Sequence, residues 1–399
     1  MRIRSGGHDF EGTSYKSEFP FIILDRNLRS ISIDIEGNSA WVESGVTIGE
    51  LQYSIAEKSC AHAFPTGNYP GVGAGGHFSG GGVGNLIRKY GLAADNVIDA
   101  IMVNVNGRIL DWESIRINLF WAIRGGEGAS FGVILAWNIK LVHVPPVVTI
   151  FQISKTYEQG AVDLIDKWQG IAHKLSEDLL IFITVSSGNG TPTKAMFQSL
   201  FLGKVDQLLK VMEKSFPEMR LRKEDCFEMS WIESVSHFPK YQRGETIEAL
   251  KNRIQPVPNY PFKSKSDLIH KPLPYKAIDE MWKWCSEVDF STIIIFHPYG
   301  GIMNKISDSE TPFPYRKEGL FESMTSHVLK EPRGAIVNIK DLDIGSNDVY
   351  GIAYFEAKVL GSMYFKNNFE RLTLIKGAVY PDNFFYHEQS IPPLVSHAK

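Results

Sequence analysis

A glycine-rich stretch constrains the fold of this chain more than any other feature: eight glycines fall between Gly71 and Gly84, counting both ends. Glycine adds no side chain to a core and loses much backbone freedom on folding, so this density needs a reason. One reason is close approach of backbone amides to a phosphate chain. Two further loops, Ser5-Gly6-Gly7-His8 and Gly125–Gly128, offer the same chemistry. Three such loops suit a long dinucleotide, and the alternative is that the glycines only form tight turns.

The glycine stretch contains a string that resembles the fingerprint of dinucleotide-binding Rossmann folds. Gly71-Val72-Gly73-Ala74-Gly75-Gly76 satisfies G-x-G-x-x-G. However, Pro70 precedes it in place of an apolar strand, and further glycines follow where a helix should begin. The fingerprint requires a strand before it and a helix after it. We therefore reject a nicotinamide-dependent Rossmann dehydrogenase.

Bulk properties indicate a globular protein with more than one domain. The chain has 399 residues, 43% of them apolar, and a formal charge of −3. This balance gives no basic stripe for nucleic acid, and the longest apolar stretches, such as Leu179–Val185, are too short to span a bilayer. Cys60, Cys226 and Cys285 form no CxxC, and no HExxH occurs. We therefore expect no nucleic-acid partner, no membrane span, no disulfide framework and no metal.

The pattern of apolar residues predicts an α+β fold. Helix Thr47–Lys58 is expected to begin at a capping box, because Glu50 stands three residues after Thr47. Paired strands with helices outside the pairs predict a largely antiparallel sheet after Pro145-Pro146. The predicted strands are Pro20–Leu24, Ser30–Ile35, Ala40–Glu43, Ile98–Val105, Thr149–Ser154, Leu179–Ser187, Ala195–Leu202 and Ser291–Phe296. The other predicted helices are Gln159–Leu175, Val205–Ser215, Lys276–Val288, Phe355–Phe365 and Phe369–Ile375.

Two histidines stand inside the glycine loops. His8 is either a loop histidine that caps a backbone group or a nucleophile in a glycine-walled pocket, where an imidazole nitrogen could attach to a flavin methyl group. His77, in Gly75-Gly76-His77-Phe78, is better explained as a hydrogen-bonded turn residue.

Together these motifs resemble the plant berberine bridge enzyme-like family, FAD-linked oxidases with a PCMH-type FAD-binding domain. The similarity covers essentially the whole chain in order. The strings that carry it are Arg4–Gly12 (RSGGHDFEG), Gly75–Gly82 (GGHFSGGG), Tyr90–Asn96 (YGLAADN), Phe120–Gly126 (FWAIRGG), Glu228–Ser234 (EMSWIES), Pro298–Gly301 (PYGG), Asp341–Gly345 (DLDIG) and Pro381–Phe385 (PDNFF).

The resemblance implies a two-subdomain FAD domain built from both ends of the chain, with a substrate domain inserted. The implied boundaries are 1–147 for the FAD domain, 148–350 for the substrate domain and 351–399 for the returning segment. His8 matches the family's flavin-linked histidine. The implied FAD-binding residues are Arg4, Ser5, Gly6, Gly7, His8, Val72, Gly75, Gly76, His77, Gly80, Gly82 and Asn383.

The implied chemistry is two-electron oxidation of an alcohol, sugar or alkaloid-like compound, with hydride transfer to flavin N5 and reoxidation by oxygen. Val72 matches a position where a small residue goes with oxidase behaviour. Family habit implies a monomer that is secreted to the cell wall or apoplast, or sent to the vacuole. The chain itself shows no signal peptide, and Asn189-Gly190-Thr191 is a glycosylation triplet of a kind common by chance.

The sequence departs from the family at its reactive side chains. Tyr69 takes the place of the cysteine that normally forms a second flavin link, and a phenol does not replace a thiolate. Phe10 and Val83 stand where the family has tyrosines, and the late Y-x-N-Y motif reads Ile336-Val337-Asn338-Ile339. Since an isoleucine cannot accept a proton, the catalytic residues remain unknown. The competing hypothesis is a flavoprotein that binds FAD or a ligand without turnover.

Two family segments are also expected to be missing. One should precede Met1, and the other belongs near Phe321, where the chain jumps from the Phe313–Arg316 region to the Met324–Gly334 region. Loss of a central strand there would leave its neighbours with unpaired backbone groups.

Overall fold

The computed structural model describes residues 1–16, 20–188, 190–238, 246–253, 262–317, 319–323, 333–347 and 354–394. At Gly319–Ser323 and Glu356 the description covers the backbone alone. Asn189, the acceptor of the glycosylation triplet, lies outside the described residues. Residues 324–332, which follow the point near Phe321 where a family segment is expected to be missing, also lie outside them.

The first part of the chain forms an antiparallel five-stranded sheet in the order β3-β4-β8-β6-β7. Two smaller pairs flank it: β1 with β2, which is parallel, and β5 with β9. The strands are β1 Arg2–Arg4, β2 Phe21–Ile23, β3 Ile31–Asp34, β4 Ser39–Glu43, β5 His62–Ala63, β6 Val97–Val103, β7 Ile109–Leu110, β8 Val133–Lys140 and β9 Val142–His143. The helices are α1 Ile48–Lys58, α2 Ala74–Ser79, α3 Ile87–Tyr90 and α4 Ile117–Ile123.

The predicted capping box at the start of α1 is confirmed. The backbone N–H of Glu50 donates to Oγ1 of Thr47, while Oε2 of Glu50 accepts from the backbone N–H of Thr47 at 2.9 Å. These reciprocal bonds satisfy two amides that a helix N-terminus leaves unpaired. The helix therefore begins at the residue after Thr47, and it ends at Lys58 as expected.

The second part of the chain forms one seven-stranded sheet, in the order β13-β10-β12-β11-β15-β16-β14, and every pairing in it is antiparallel. Together with the helices, this sheet confirms the α+β class. Its strands are β10 Val148–Lys155, β11 Leu179–Gly188, β12 Thr191–Phe201, β13 Cys226–Met229, β14 Lys265–Ile269, β15 Thr292–His297 and β16 Gly319–Ser323. The helices that follow α4 are α5 Ala161–Ile171, α6 Val205–Ser215, α7 Trp231–His237, α8 Tyr275–Glu287, α9 Tyr354–Phe365 and α10 Asn368–Val379.

The expected gap in this sheet near Phe321 is not found. Strand β16 lies between β15 and β14 and pairs with both, Phe321 standing opposite Phe296 on one side and Asp267 on the other. Five residues of backbone are enough to complete the ladder, because each strand residue supplies its own donor and acceptor. The sheet is therefore continuous across the point where a family segment was expected to be missing.

The last described segment of the chain returns to the first part of the fold. Leu360, Phe369 and Leu372, on α9 and α10, belong to the same buried core as Val42 and Trp137 of the five-stranded sheet. Ala335 also belongs to this core, although the boundary of 350 would assign it to the substrate domain. None of the described helices is long and apolar enough to cross a bilayer.

An ion pair anchors the returning segment to the first strand, and it should make stability depend on pH. Burial by itself raises the pKa of Glu388, but hydrogen bonds from Arg2 at 2.5 and 3.0 Å outweigh burial and hold the pKa at about 2. A carboxylate with a depressed pKa stabilises the fold above its unfolded pKa and loses that contribution as pH falls through the folded value.

We expect Glu388→Gln to lower the free energy of unfolding by about 1–3 kcal/mol at pH 7. The difference from the wild type should shrink from about pH 4.5 downwards and vanish near pH 2. Urea denaturation at pH 7, 4 and 3 would measure it, with Glu213→Gln, at an exposed glutamate of α6, as the control. A difference that stays constant over this range would show that the ion pair is not the cause.

Candidate functional site

The first two glycine loops touch each other through their backbones. A Cβ atom added to Gly6 would overlap the backbone nitrogen of Gly73, and one added to Gly73 would overlap Gly6 and the hydroxyl of Ser5. That hydroxyl donates to the carbonyl of Ser44 at 2.6 Å, which fixes the first loop against the end of β4. Glycine is therefore required at both positions by close approach.

The third loop joins the other two. The backbone N–H of Glu127 donates to the carbonyl of Ser79 at 3.0 Å. A Cβ added to Gly125 would lie 3.7 Å from Cα of Gly81. The three loops that the sequence places far apart therefore form one continuous surface, as their shared chemistry predicts.

This surface offers backbone donors that have no hydrogen-bond partner among the described residues. Within the described part of the chain, the backbone amides of Gly6, Gly7 and His8 form no hydrogen bond. Gly7 has a φ of 73°, a left-handed conformation that favours glycine. Gly76 is exposed, and a Cβ there would meet only open space. Unpaired consecutive amides beside open space fit a phosphate-containing group such as FAD.

His8 lies beside Tyr69 at this surface. Their ring centroids are 5.5 Å apart in an edge-to-face arrangement, and both side chains are exposed. Neighbouring residues bury part of the imidazole, and this burial lowers the pKa of His8. A hydrogen bond with the backbone of Gly71 raises the pKa and partly offsets the effect of burial. A lowered pKa keeps the imidazole neutral at pH 7, so a ring nitrogen retains the lone pair that a nucleophile needs. Burial raises the pKa of Tyr69, which keeps its phenol protonated.

His77 has the hydrogen-bonding role that was expected of it, but it lies on helix α2 and not in a turn. Its Nε2 atom accepts a hydrogen bond from the backbone N–H of Gly67 at 2.9 Å. Burial lowers the pKa of His77 to about 4, so the ring is neutral and able to accept. The side chain therefore holds residues 67 and 77 together.

Asn338 fastens the second glycine loop from a distant part of the chain. Its Oδ1 atom accepts from the backbone N–H of Gly82 at 3.0 Å, and its amide donates to the carbonyls of Gly76 and His77 at 3.3 and 3.2 Å. A Cβ on Gly80 would overlap this amide. The one polar residue left in the Y-x-N-Y motif is therefore used on backbone groups of the loop.

Replacing Asn338 by aspartate should loosen the loop. A carboxylate cannot donate to the carbonyls of Gly76 and His77, so two acceptors would face a negative charge. We expect the free energy of unfolding to fall by about 1–3 kcal/mol and less flavin to stay with the purified protein. The ratio of flavin to protein absorbance and a urea titration would measure both effects. Asn304→Asp, at an exposed asparagine, is the control, and unchanged flavin content in Asn338→Asp would contradict the assigned role.

The positions where the family has tyrosines form an apolar cluster. Ile336 and Ile339 are buried in it, and Phe10 and Val83 pack at its edge. Its other members, which define the cluster below, are Ile87, Leu92, Leu268, Tyr299, Met303, Ile306, Phe313 and Tyr315. Phe313 also covers the glycine loops, because a Cβ on Gly81 would lie 2.8 Å from its ring. Four separate substitutions in the sequence thus change one place in the fold.

A buried charge network that sequence reasoning missed lies on another side of the loops. Nζ of Lys340 is 3.0 Å from Oε1 of Glu127 and 3.9 Å from Oδ2 of Asp9, and Nε2 of His387 is 3.2 Å from Oε1 of Glu127. Burial lowers the pKa of His387, so its ring is neutral. Glu127 has a φ of 65°, which is unusual for a residue other than glycine. The only feature of the sequence that could have indicated this network was Glu127, a charged residue inside a glycine loop.

Three predicted site residues have contacts that do not define a cofactor role. Arg4 lies 3.5 Å from Asp25 and over the ring of Tyr15. The backbone of Val72 donates to the carbonyl of Tyr69 and accepts from the amide of Ile48. Asn383 has a φ of 51°, and its Oδ1 atom is buried with no partner in the described part of the chain. Their assignment to the cofactor site, and that of Gly75, stays a prediction. No set of three or more potential metal ligands lies together in the described ranges.

Comparisons with known proteins agree with this geometry. A model described as FAD binding domain matches residues 1–113, and one described as berberine and berberine like matches residues 335–392. The chain is 52% identical to O-acetylstemmadenine oxidase of Catharanthus roseus, over 99% of this chain and 80% of the relative. It is 48% identical to tetrahydroberberine oxidase of Berberis wilsoniae, over 99% and 81%. The alignment with the first of these spans 425 positions, more than the 399 residues present here, so that relative carries residues this chain lacks.

The fold also matches solved structures. The structure of BBE-like #28 from Arabidopsis thaliana superposes with a TM-score of 0.93 at 44% identity, over 98% of this chain and 87% of that one.

Proposed function

Because the chain belongs to the berberine bridge enzyme-like family of FAD-linked oxidases, we propose that it oxidises an apolar, ring-containing amine. The observation that carries this proposal is the apolar cluster at the family's tyrosine positions, where Phe10, Val83, Ile336 and Ile339 meet. Bound FAD would supply the two-electron acceptor, with oxygen as the final oxidant. The residues of this chain hold the cofactor and shape the space beside it.

The chemistry of the cluster favours an amine over an alcohol or sugar. Oxidation of an alcohol removes a hydroxyl proton as well as a hydride, so it needs a base near the reacting atom. A tertiary amine with a free lone pair loses only the hydride in forming an iminium ion, which needs no base. The apolar side chains at the former tyrosine positions cannot accept a proton, and they would also leave sugar hydroxyls without partners. The names of the two relatives, which give alkaloids as substrates, support the same class.

Several residues are proposed to hold FAD. Gly6, Gly7 and His8 would bind phosphate oxygens through their unpaired amides, with Gly76 beside them. Ser5, Gly80, Gly82 and His77 would act indirectly, since their contacts shape the loops. We also propose the domain boundaries 1–147, 148–350 and 351–399. The continuous second sheet and the returning helices α9 and α10 support them, whereas Ala335 packs with the core of the first part of the fold and argues for an earlier return of the chain.

Family habit supports three further proposals: a monomer, export to the apoplast, cell wall or vacuole, and glycosylation. Light scattering of the purified protein would test the first. A fluorescent fusion expressed from the full gene, and a glycosidase shift on a gel, would test the others.

The test of function is anaerobic reduction of the bound flavin. We expect tetrahydroberberine or O-acetylstemmadenine to bleach the 450 nm band and glucose to leave it unchanged. Readmitted oxygen should restore the band and form hydrogen peroxide. Bleaching by glucose alone would contradict the amine proposal. A flavin that none of these compounds reduces would favour the second candidate, a flavoprotein without turnover, which the loss of the tyrosines motivates.

A further inference from the structure

The seven-stranded sheet packs α5 and α8 on one face, while Ile150 and Leu200 on the opposite face pack against α7. Ile294 and Phe296 of β15 pack in the core beneath α5 and α8, and Phe296 contacts the ring of Trp168 on α5 at 6.2 Å. Successive strand residues point to opposite faces. His297, the last residue of β15, is therefore on the face opposite α5 and α8.

Residues on neighbouring strands form a row across this face, perpendicular to the strands. Gln198 on β12 stands opposite Phe182 on β11, and the register of β11 with β15 places Phe182 beside His297. The rings of Phe182 and His297 are stacked, with centroids 6.0 Å apart and planes inclined by 22°. The backbone register continues from His297 through Leu320 of β16 to Leu268 of β14.

The row ends in the apolar cluster. Leu268 belongs to that cluster together with Phe10, which is two residues from His8, and Val83 of the second glycine loop. Two strand spacings separate His297 from Leu268, a distance of about 10 Å. A fused-ring molecule that lies against the cluster is long enough to reach His297.

His297 has an unused hydrogen-bonding atom on this face. Its Nδ1 atom is buried and has no hydrogen-bond partner among the described residues. Burial, together with the positive charge of Arg88 on α3, lowers the pKa of His297 to about 4. The ring is therefore neutral at physiological pH. The nearby polar side chains of Thr184 and Gln198 are bonded to each other at 3.1 Å, and neither bonds to Nδ1 of His297 among the described residues.

We propose that His297 is a substrate-positioning residue that accepts a hydrogen bond from an N–H or O–H group of the ring substrate, remote from the carbon that is oxidised. This inference rests on the proposed function, because it assigns the far end of the same substrate. Phe182 would support the histidine ring, and the apolar cluster would hold the end of the substrate that reacts. A buried acceptor left unpaired favours substrates that bring a donor to it.

Two probes separate a hydrogen-bonding role from a structural one. O-acetylstemmadenine carries an indole N–H, whereas neutral tetrahydroberberine has no hydrogen-bond donor. His297→Phe keeps an aromatic ring against Phe182 but has no acceptor, and His297→Asn can place an amide oxygen near the position of Nδ1. His270→Asn, at an exposed histidine that follows β14, is the control. Each variant is compared with the wild type, all as flavin-loaded protein, by KM, kcat and the flavin absorption spectrum.

We expect His297→Phe to raise KM for O-acetylstemmadenine about tenfold or more, to change KM for tetrahydroberberine less than threefold, and to leave the flavin spectrum unchanged. His297→Asn should raise KM for O-acetylstemmadenine less than His297→Phe does. Equal changes with both probes, or no change with either, would overturn the role of His297 and leave the proposed function standing. A wild type that binds and oxidises neither probe would overturn the proposed function for ring amines, and this inference with it.

Discussion

His8→Ala should abolish covalent attachment of flavin, so that acid precipitation moves all of the yellow colour from the protein pellet to the supernatant. The wild-type pellet should stay yellow. The physical reason is that His8 supplies a neutral, exposed imidazole beside the glycine loops, whereas its neighbour Tyr69 keeps its proton. A protonated phenol is a poor nucleophile. Flavin should still bind without the covalent bond, because the amides of Gly6 and Gly7 are unchanged.

A second variant tests whether the side chains at positions 8 and 69 both flank the flavin. Tyr69→Cys places a thiol at the position whose ring now lies 5.5 Å from the imidazole of His8. If both side chains flank the flavin, the double variant His8→Ala/Tyr69→Cys should regain colour in the pellet. Since a thiolate is the reactive form, this gain should grow as pH rises through about 8.5.

His143→Ala, at an exposed histidine of β9, is the matched control and should keep a yellow pellet. A yellow pellet from His8→Ala itself would show that another residue forms the bond. Mass spectrometry of the flavin-bearing peptide would then identify that residue. Colourless wild-type protein would show that the chain does not retain FAD, and the assignment of the glycine loops would fail with it.

Local patterns predicted much of the fold. Thr47 and Glu50 defined the start of α1 because a capping box involves only neighbouring residues. Helix α6 was predicted with its observed bounds, and four of the seven strands of the second sheet, β10, β11, β12 and β15, were predicted to within four residues. Strands β13, β14 and β16 and helix α7 were missed, although Ser230 and Glu233 form another capping box that could have revealed the helix.

What the sequence could not supply was long-range pairing. Strand β16 completes the second sheet only because β14 and β15 lie on both sides of it, and no local pattern in Gly319–Ser323 shows that. The same limit applies to the site. Composition predicted that the glycine loops share a chemistry, but the contacts of Asn338 with residues about 260 positions away depend on the folded chain. The network around Lys340 was missed for the same reason.

Replacing Arg316 by methionine should cause the largest loss of stability among single changes near the site. The guanidinium of Arg316 is fully buried and makes a two-pronged bond with Asp95, at 2.7 and 2.8 Å, and a further bond with Thr311 at 2.6 Å. Methionine would leave the Asp95 carboxylate buried with one remaining donor, the backbone N–H of Leu92. Breaking a buried pair on one side costs about 3–5 kcal/mol. Urea denaturation followed by tryptophan fluorescence would measure this loss.

Arg316→Met should also weaken the retention of flavin at the glycine loops. Arg316 lies over the ring of Phe313, at 5.6 Å, and Phe313 covers Gly81 and Gly125 of the glycine loops. We therefore expect Arg316→Met to release flavin at a lower urea concentration than the wild type does. Arg222→Met, which removes only exposed ion pairs, should change neither the urea concentration at which the protein unfolds nor the one at which it releases flavin.

A double variant identifies the cause of the loss. If an uncompensated charge is responsible, Arg316→Met/Asp95→Asn should be more stable than Arg316→Met alone, because the neutral amide costs less to bury than the carboxylate. Arg316→Lys should fall between the wild type and methionine, since an ammonium keeps the charge but not the two-pronged geometry. A double variant no more stable than Arg316→Met would assign the loss to packing. Arg316→Met within about 1 kcal/mol of the wild type would show that the buried pair contributes little, as some buried pairs do when their desolvation cost offsets their attraction.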